Sequence, residues 1–81
     1  MAKPAILELA RAFLDLANPA NDEHFRMIIS AFLEGEILTV EEMARICDTS
    51  EPIIRRWASG KSTSQVKALV YRFLAEELDK V

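Results

Sequence analysis

Arg55 and Arg56 are the side chains in this sequence best equipped for chemistry at a surface, and Glu51 stands one helical turn before Arg55. Their chemistry is recognition rather than bond breaking. A guanidinium carries a rigid fork of N–H donors that fits carboxylates, phosphates or a pair of acceptors on a base edge. Glu51 can accept from an amino group, or it can orient Arg55 through their i,i+4 spacing. Little else in the chain is reactive. His24 is the only histidine and has no second ligand at helical spacing, so it reads as a surface or capping residue. Cys47, alone on an apolar face, reads as a small core residue. No nucleophile–base pair, metal-ligand pair or Gly-rich phosphate loop is visible, so no catalytic residue, metal or cofactor is expected, and the chain is not expected to be an enzyme.

The arginines need an element to point them. Residues 39–60 read TVEEMARICDTSEPIIRRWASG, which predicts two short helices around a turn of about three or four residues. Thr39 and Glu42 have the spacing of a reciprocal capping box. Met43, Ala44 and Cys47 share one face of the first helix, with Ile46 at its border, while Glu41, Glu42 and Arg45 share the other. Ser50 is placed to cap the second helix, Glu51 suits its positive end, and Pro52 is tolerated in its first turn. A step of 100° per residue groups Ile53, Ile54, Trp57 and Ala58 and turns Arg55 and Arg56 to the opposite side. Such a helix, held across another by a tight turn, has the geometry that sets side chains in a DNA major groove.

Thr39, the run Glu42, Met43 and Ala44, then Ser50, the run Ile54, Arg55, Arg56 and Trp57, and finally Ser59, Gly60 and Lys61 resemble the phage-repressor and Cro-type helix-turn-helix family. The resemblance covers about half the chain and is best from Ser50 to Lys61. It implies an all-α, lambda-repressor-like domain that binds double-stranded DNA as a transcriptional regulator. Glu51, Arg55 and Arg56 would be its base-reading residues. The hydroxyl-rich segment Lys61, Ser62, Thr63 and Ser64 would lie beside the phosphates, with Lys67 a further contact. The chain departs from the family at Asp48, where a turn glycine is usual, and at Thr49, where an aliphatic residue is usual. Val40 replaces a phosphate-touching glutamine, and Pro52 occupies a position that often carries a base-reading polar side chain.

Three further helices are expected around this unit. The first runs over residues 4–17, from Pro4 to the stop at Asn18 and Pro19. Its apolar residues, Leu9 and Leu16 among them, fill about half the wheel, more than a core contact needs. With its connector it makes residues 1–20 an addition to the family pattern. The second covers 22–34, capped by Asn21 and stopped by Gly35, with Phe25, Ile28, Ile29 and Phe32 as its core stripe. Leu38 is expected to pack inward ahead of Thr39. The last covers 64–80, with Ser62 or Ser64 as its start and Val66, Leu69, Val70 and Phe73 as its core stripe. Tyr71, Leu74, Leu78 and Val81 widen its apolar arc to roughly 200°. That excess predicts a covered surface, and hence a homodimer through Tyr71, Leu74 and Leu78 or through the outer face of the first helix.

Length and composition agree with one small helical domain over residues 1–81. At 51% hydrophobic with two glycines, the chain is neither disordered nor loop-rich. A chain this short buries only about 60% of its unfolded surface. One cysteine forms no internal disulfide, and no apolar run is long enough to span a bilayer, so a cytoplasmic protein is expected. The net charge is −3, yet it is unevenly spread. Residues 1–38 hold three basic and six acidic side chains, whereas residues 50–72 hold five basic ones against Glu51 alone. The basic stretch therefore coincides with the expected reading helix and the loop after it. The alternative expectation is an antitoxin-like or adaptor module of the same fold that recognises a protein and reads no DNA.

Overall fold

Asn21 and Thr39 start two helices by their own side chains. Asn21 Oδ1 accepts from the His24 amide at 3.0 Å, ahead of α2 (Asp22–Glu34). Thr39 Oγ1 accepts from the Glu42 amide while Glu42 Oε1 accepts from the Thr39 amide, a complete capping box ahead of α3 (Val40–Ile46). The bond from the Thr39 amide, and secondarily the Thr39 hydroxyl beside it, hold the Glu42 carboxyl below the usual carboxylate range. The computed structural model describes residues 4–80, and its other helices are α1 (Pro4–Leu16), α4 (Glu51–Ser59) and α5 (Lys67–Asp79). Among the described residues the chain is all-α, as its composition and periodicity predict.

Three helices end in the same way, with one residue in the left-handed region, and only one of those residues is a glycine. After α2 the residue is Glu36 (φ 57°), where the Ile37 amide reaches back to the Phe32 carbonyl at 3.0 Å. After α3 it is Asp48 (φ 55°), with the Thr49 amide on the Ala44 carbonyl at 2.9 Å. After α4 it is Gly60 (φ 81°), with the Lys61 amide on the Arg56 carbonyl at 3.0 Å. Each is a Schellman closure that satisfies carbonyls a helix end would leave bare. Gly35, expected to end α2 by its conformational freedom, has an ordinary φ of −79°. Its lack of a side chain serves contact instead, since a Cβ there would lie 2.8 Å from Ile6 Cγ2 of α1.

The core forms where α2 and α3 meet α4, and α1 and α5 close over it. Phe25, Ile28, Ile29 and Phe32 are fully buried, as their spacing predicts, and Met43, Ile54 and Leu74 join them. Leu38 is buried as expected. The Phe25 ring meets Trp57 edge-on at 5.2 Å and lies 5.9 Å from Tyr71. Cys47 is packed against this cluster, and burial pushes its thiol up to about 11, as befits an inert core residue.

Two expectations about α5 need correction. The helix begins at Lys67 rather than at Ser64, because Ser64 Oγ accepts from the Val66 amide at 3.0 Å and turns the chain locally. Its inward stripe is Val70, Tyr71, Leu74 and Leu78, while Val66 and Leu69 are 55% and 39% exposed and Phe73 is half-buried. The helix is therefore rotated about its axis relative to the expectation, and Tyr71, Leu74 and Leu78 are spent within the chain rather than offered to a second copy. Val81, counted with that arc, lies outside the described residues.

The Tyr71 hydroxyl is buried without a hydrogen-bond partner. Burial, and secondarily the charge of Asp22, push it up to about 12 from its ordinary value near 10. The folded chain thus holds this proton more tightly than the unfolded chain. The stability linked to it is complete below pH 10 and lost as pH rises to about 12. Tyr71→Phe is expected to change neutral-pH stability by less than about 1 kcal/mol, since it removes an unpartnered group and keeps the ring. It should also flatten the alkaline fall between those pH values, which urea melts across pH 8 to about 12 would record.

Candidate nucleic-acid interface

Helix α4 is held from behind. Ile54 is fully buried and Trp57 nearly so, and the Ser30 hydroxyl of α2 donates to the Ala58 carbonyl at 3.0 Å. Ala44 of α3, 6% exposed, leaves room for the close crossing. Asp48 takes the left-handed turn position where glycine is usual, and its short polar side chain tolerates that conformation better than most. The turn between the two helices is therefore closed with an aspartate in that position. Ser50 occupies the cap position in extended conformation, but its side chain makes no capping hydrogen bond, contrary to its expected role. Glu51 and Pro52 then fill the first turn.

Arg55 and Arg56 stand exposed on the opposite side of α4. Arg55 Nη2 lies 3.3 Å from Glu51 Oε1, with the two side chains 61% and 46% exposed. A pair this open contributes at most about 0.5 kcal/mol, so its effect is to orient the guanidinium rather than to stabilise the fold. Arg56 makes no ion pair among the described residues. Its carbonyl is occupied by the Lys61 amide and the Ser59 hydroxyl, which fixes the backbone beneath an unengaged side chain. Pro52 is exposed at the start of the same helix, and Val40 packs partly into the core, so neither presents a polar group to a ligand.

The expected phosphate-contacting residues divide into two groups. Lys61 is exposed directly after α4, and Ser62 and Thr63 follow it with hydroxyl oxygens that are buried and have no partner. These residues line a cleft of about 300 Å³ together with Asp22, Glu23 and Arg26 of α2. Ser64 and Lys67 also face inward, and unlike Ser62 and Thr63 they have partners there. Ser64 is 7% exposed and its hydroxyl is used by Val66. The Lys67 ammonium is 3.0 Å from Asp22 Oδ1 and 3.3 Å from the Ser64 carbonyl, and its side chain is only 15% exposed. Both shape the loop rather than extend from it.

Arg26 belongs to this cleft although its sequence position on α2 gave no sign of it. A Cβ on Gly60 would lie 2.9 Å from Arg26 Cδ, so the glycine is required by contact as well as by its φ of 81°. Arg26 also bonds Glu23 and holds that carboxyl below the usual range. The two acidic groups of the cleft are thereby each matched by a cation, Asp22 by Lys67 and Glu23 by Arg26. His24 accepts from the Asn18 amide at Nδ1 (3.1 Å), which ties the connector to the first turn of α2. Among the described residues no group of His, Cys, Asp and Glu is placed to hold a metal ion, and no helix is long and apolar enough to cross a membrane. No protein-family model, curated protein or solved structure matches the chain.

Proposed function

We propose that this chain binds double-stranded DNA sequence-specifically through α4 and acts as a transcriptional regulator of the phage-repressor type in the cytoplasm. The observation that carries the reading is the two-sidedness of α4. Ile54 and Trp57 anchor it in the core while Arg55 and Arg56 project from its far side, with Glu51 bracing the first of them. Arginine is the commonest specific partner of guanine in the major groove, and a braced guanidinium loses less freedom on binding. Lys61 follows as the phosphate contact, while the Ser62 and Thr63 hydroxyls are buried behind it and reach a phosphate only if the loop turns them outward. Ser64 and Lys67 support that loop from inside.

Salt dependence tests the electrostatic part. The logarithm of affinity should fall linearly with the logarithm of salt, by roughly 0.9 per phosphate contact. Lys61→Ala is expected to flatten that slope by about one unit per bound chain and to weaken all sequences alike. A slope that does not change removes Lys61 from the phosphate contacts.

A palindromic operator requires a pair of chains. With Tyr71, Leu74 and Leu78 buried, the apolar surface left for a second copy is Leu69 and Phe73 of α5, with Val66 just ahead of the helix. Light scattering at micromolar concentration should give a dimer mass, and Leu69→Glu should return it to a monomer.

A second reading, a protein-recognition module of the same shape, draws support from exposed acidic groups on α2 and α3. Glu41 is exposed in the first turn of α3, and Asp22 and Glu23 line the cleft beside Ser62 and Thr63. A gel-shift experiment with competitor DNA separates the two, because a protein-only module gives no salt-sensitive shift at micromolar concentration.

A further inference from the structure

Helix α1 carries a second apolar stripe on the side turned away from the core. Ala10 is its buried residue, whereas Leu9 and Leu16 are 69% and 84% exposed. Ala5, Leu9, Ala12 and Leu16 are all exposed and follow one another at intervals of 4, 3 and 4 residues. That is the heptad seam of a coiled coil, with leucine at one apolar position and alanine at the other. Beside the seam, α1 and α2 enclose two shallow hollows of about 320 and 330 Å³ that share Leu9 and Phe13 as a common wall. One reaches His24 and the other reaches Ala31 and Gly35, so they are strung along the groove between the helices. Met27, 38% exposed, shares the α2 face of Ala31 and Glu34 at the outer edge.

The rims decide what can lie there. Glu8 and Asp15 are exposed one residue before each seam leucine, a heptad apart, on the edge facing away from α2. Neither forms an ion pair among the described residues, whereas Arg11, between them, is bound to Asp79 at 2.6 Å. Glu34 lines the hollow on the other side. An apolar floor between acidic rims complements a helix that is apolar along its centre and basic on its flanks. A second copy of this chain fits poorly. Packed antiparallel, it brings the Glu8 and Asp15 edges of both chains together, and packed parallel, it lays those carboxylates over Ile6 and Phe13.

We propose that the α1–α2 groove is the docking site for an amphipathic helix of a partner protein, with Leu- or Ala-sized side chains along its seam and Lys or Arg on its flanks. The groove uses no residue assigned to DNA, so this docking does not depend on the DNA-binding reading.

The test uses three synthetic peptides of three heptads each and fluorescence anisotropy with the full chain. The first has a leucine–alanine seam with lysine flanks, the second the same seam with glutamate flanks, and the third is the first with its order scrambled. Saturable binding of the lysine peptide is expected, with the other two at least about tenfold weaker. Leu16→Glu, at a site too exposed to disturb folding, should weaken it by a similar factor, with an unchanged melting curve as the control. The double exchange Glu8→Lys and Asp15→Lys should make the glutamate peptide the tighter ligand. Equal binding of the scrambled peptide, or a preference that the double exchange does not move, overturns the proposal. So does a dimer in light scattering that Leu16→Glu dissociates, which would give the face to a second copy.

Discussion

Trp57→Ala is expected to remove a large share of the stability of this domain. The side chain is 7% exposed, sits edge-on to the fully buried Phe25, and lies beside Ile54 on the face of α4 that meets α2 and α3. Truncating a buried aromatic costs about 3–5 kcal/mol, through lost transfer energy and the cavity left behind. Small domains of this length have roughly 4–12 kcal/mol in total. The variant should melt far below the parent, and its DNA affinity should vanish with its helical signal rather than separately from it. Circular dichroism melts of parent and variant decide the matter. A melting temperature within a few degrees of the parent would show that α4 is not anchored through this ring.

Arg56→Ala on the same helix should do the reverse. Its side chain is exposed and makes no ion pair among the described residues, so stability should change by less than about 0.5 kcal/mol. Affinity for the preferred DNA site should fall by about 1–3 kcal/mol, with base preference relaxed at one position of each half-site. Arg55→Ala should give a mixed result, since Glu51 then loses its partner and is left as a free carboxylate on the proposed reading side of α4. Selection of bound sites from random DNA supplies the preferred sequence, and titrations of each variant against it supply the loss. If Arg56→Ala binds that site like the parent yet loses a protein partner, the protein-recognition reading replaces the DNA one.

Much of this molecule is local chemistry and is legible from residue spacing. The capping box of Thr39 and Glu42, the Asn21 cap, the stop at Gly60 and the stripe of Phe25, Ile28, Ile29 and Phe32 each depend on residues within one or two turns of each other. So does the division of α4 into an anchoring side and an arginine side, because a short helix with two buried and two charged positions admits one orientation. The bounds of α2 and the exposure of Arg55, Arg56 and Lys61 belong to this class.

Where several orientations satisfy the same periodicity, only packing chooses. The α5 apolar arc covers roughly half a turn or more of the wheel, so either Val66, Leu69 and Phe73 or Tyr71, Leu74 and Leu78 could have faced inward. Contacts far away in the chain made the choice, with Phe25 of α2 receiving Tyr71 and the start of α1 lying beside Leu78. Lys67 and Ser64 changed role for the same reason. Asp22, 45 positions before Lys67, takes its ammonium, and the turn at Val66 takes the hydroxyl of Ser64. Arg26 moved the other way, from an ordinary charged position on α2 to the wall of the cleft beside Gly60. Helix periodicity and capping are set within a few residues and can be read directly from the sequence. Which half of a broad apolar face is buried, and which charges meet, depends on partners brought together only when the chain folds.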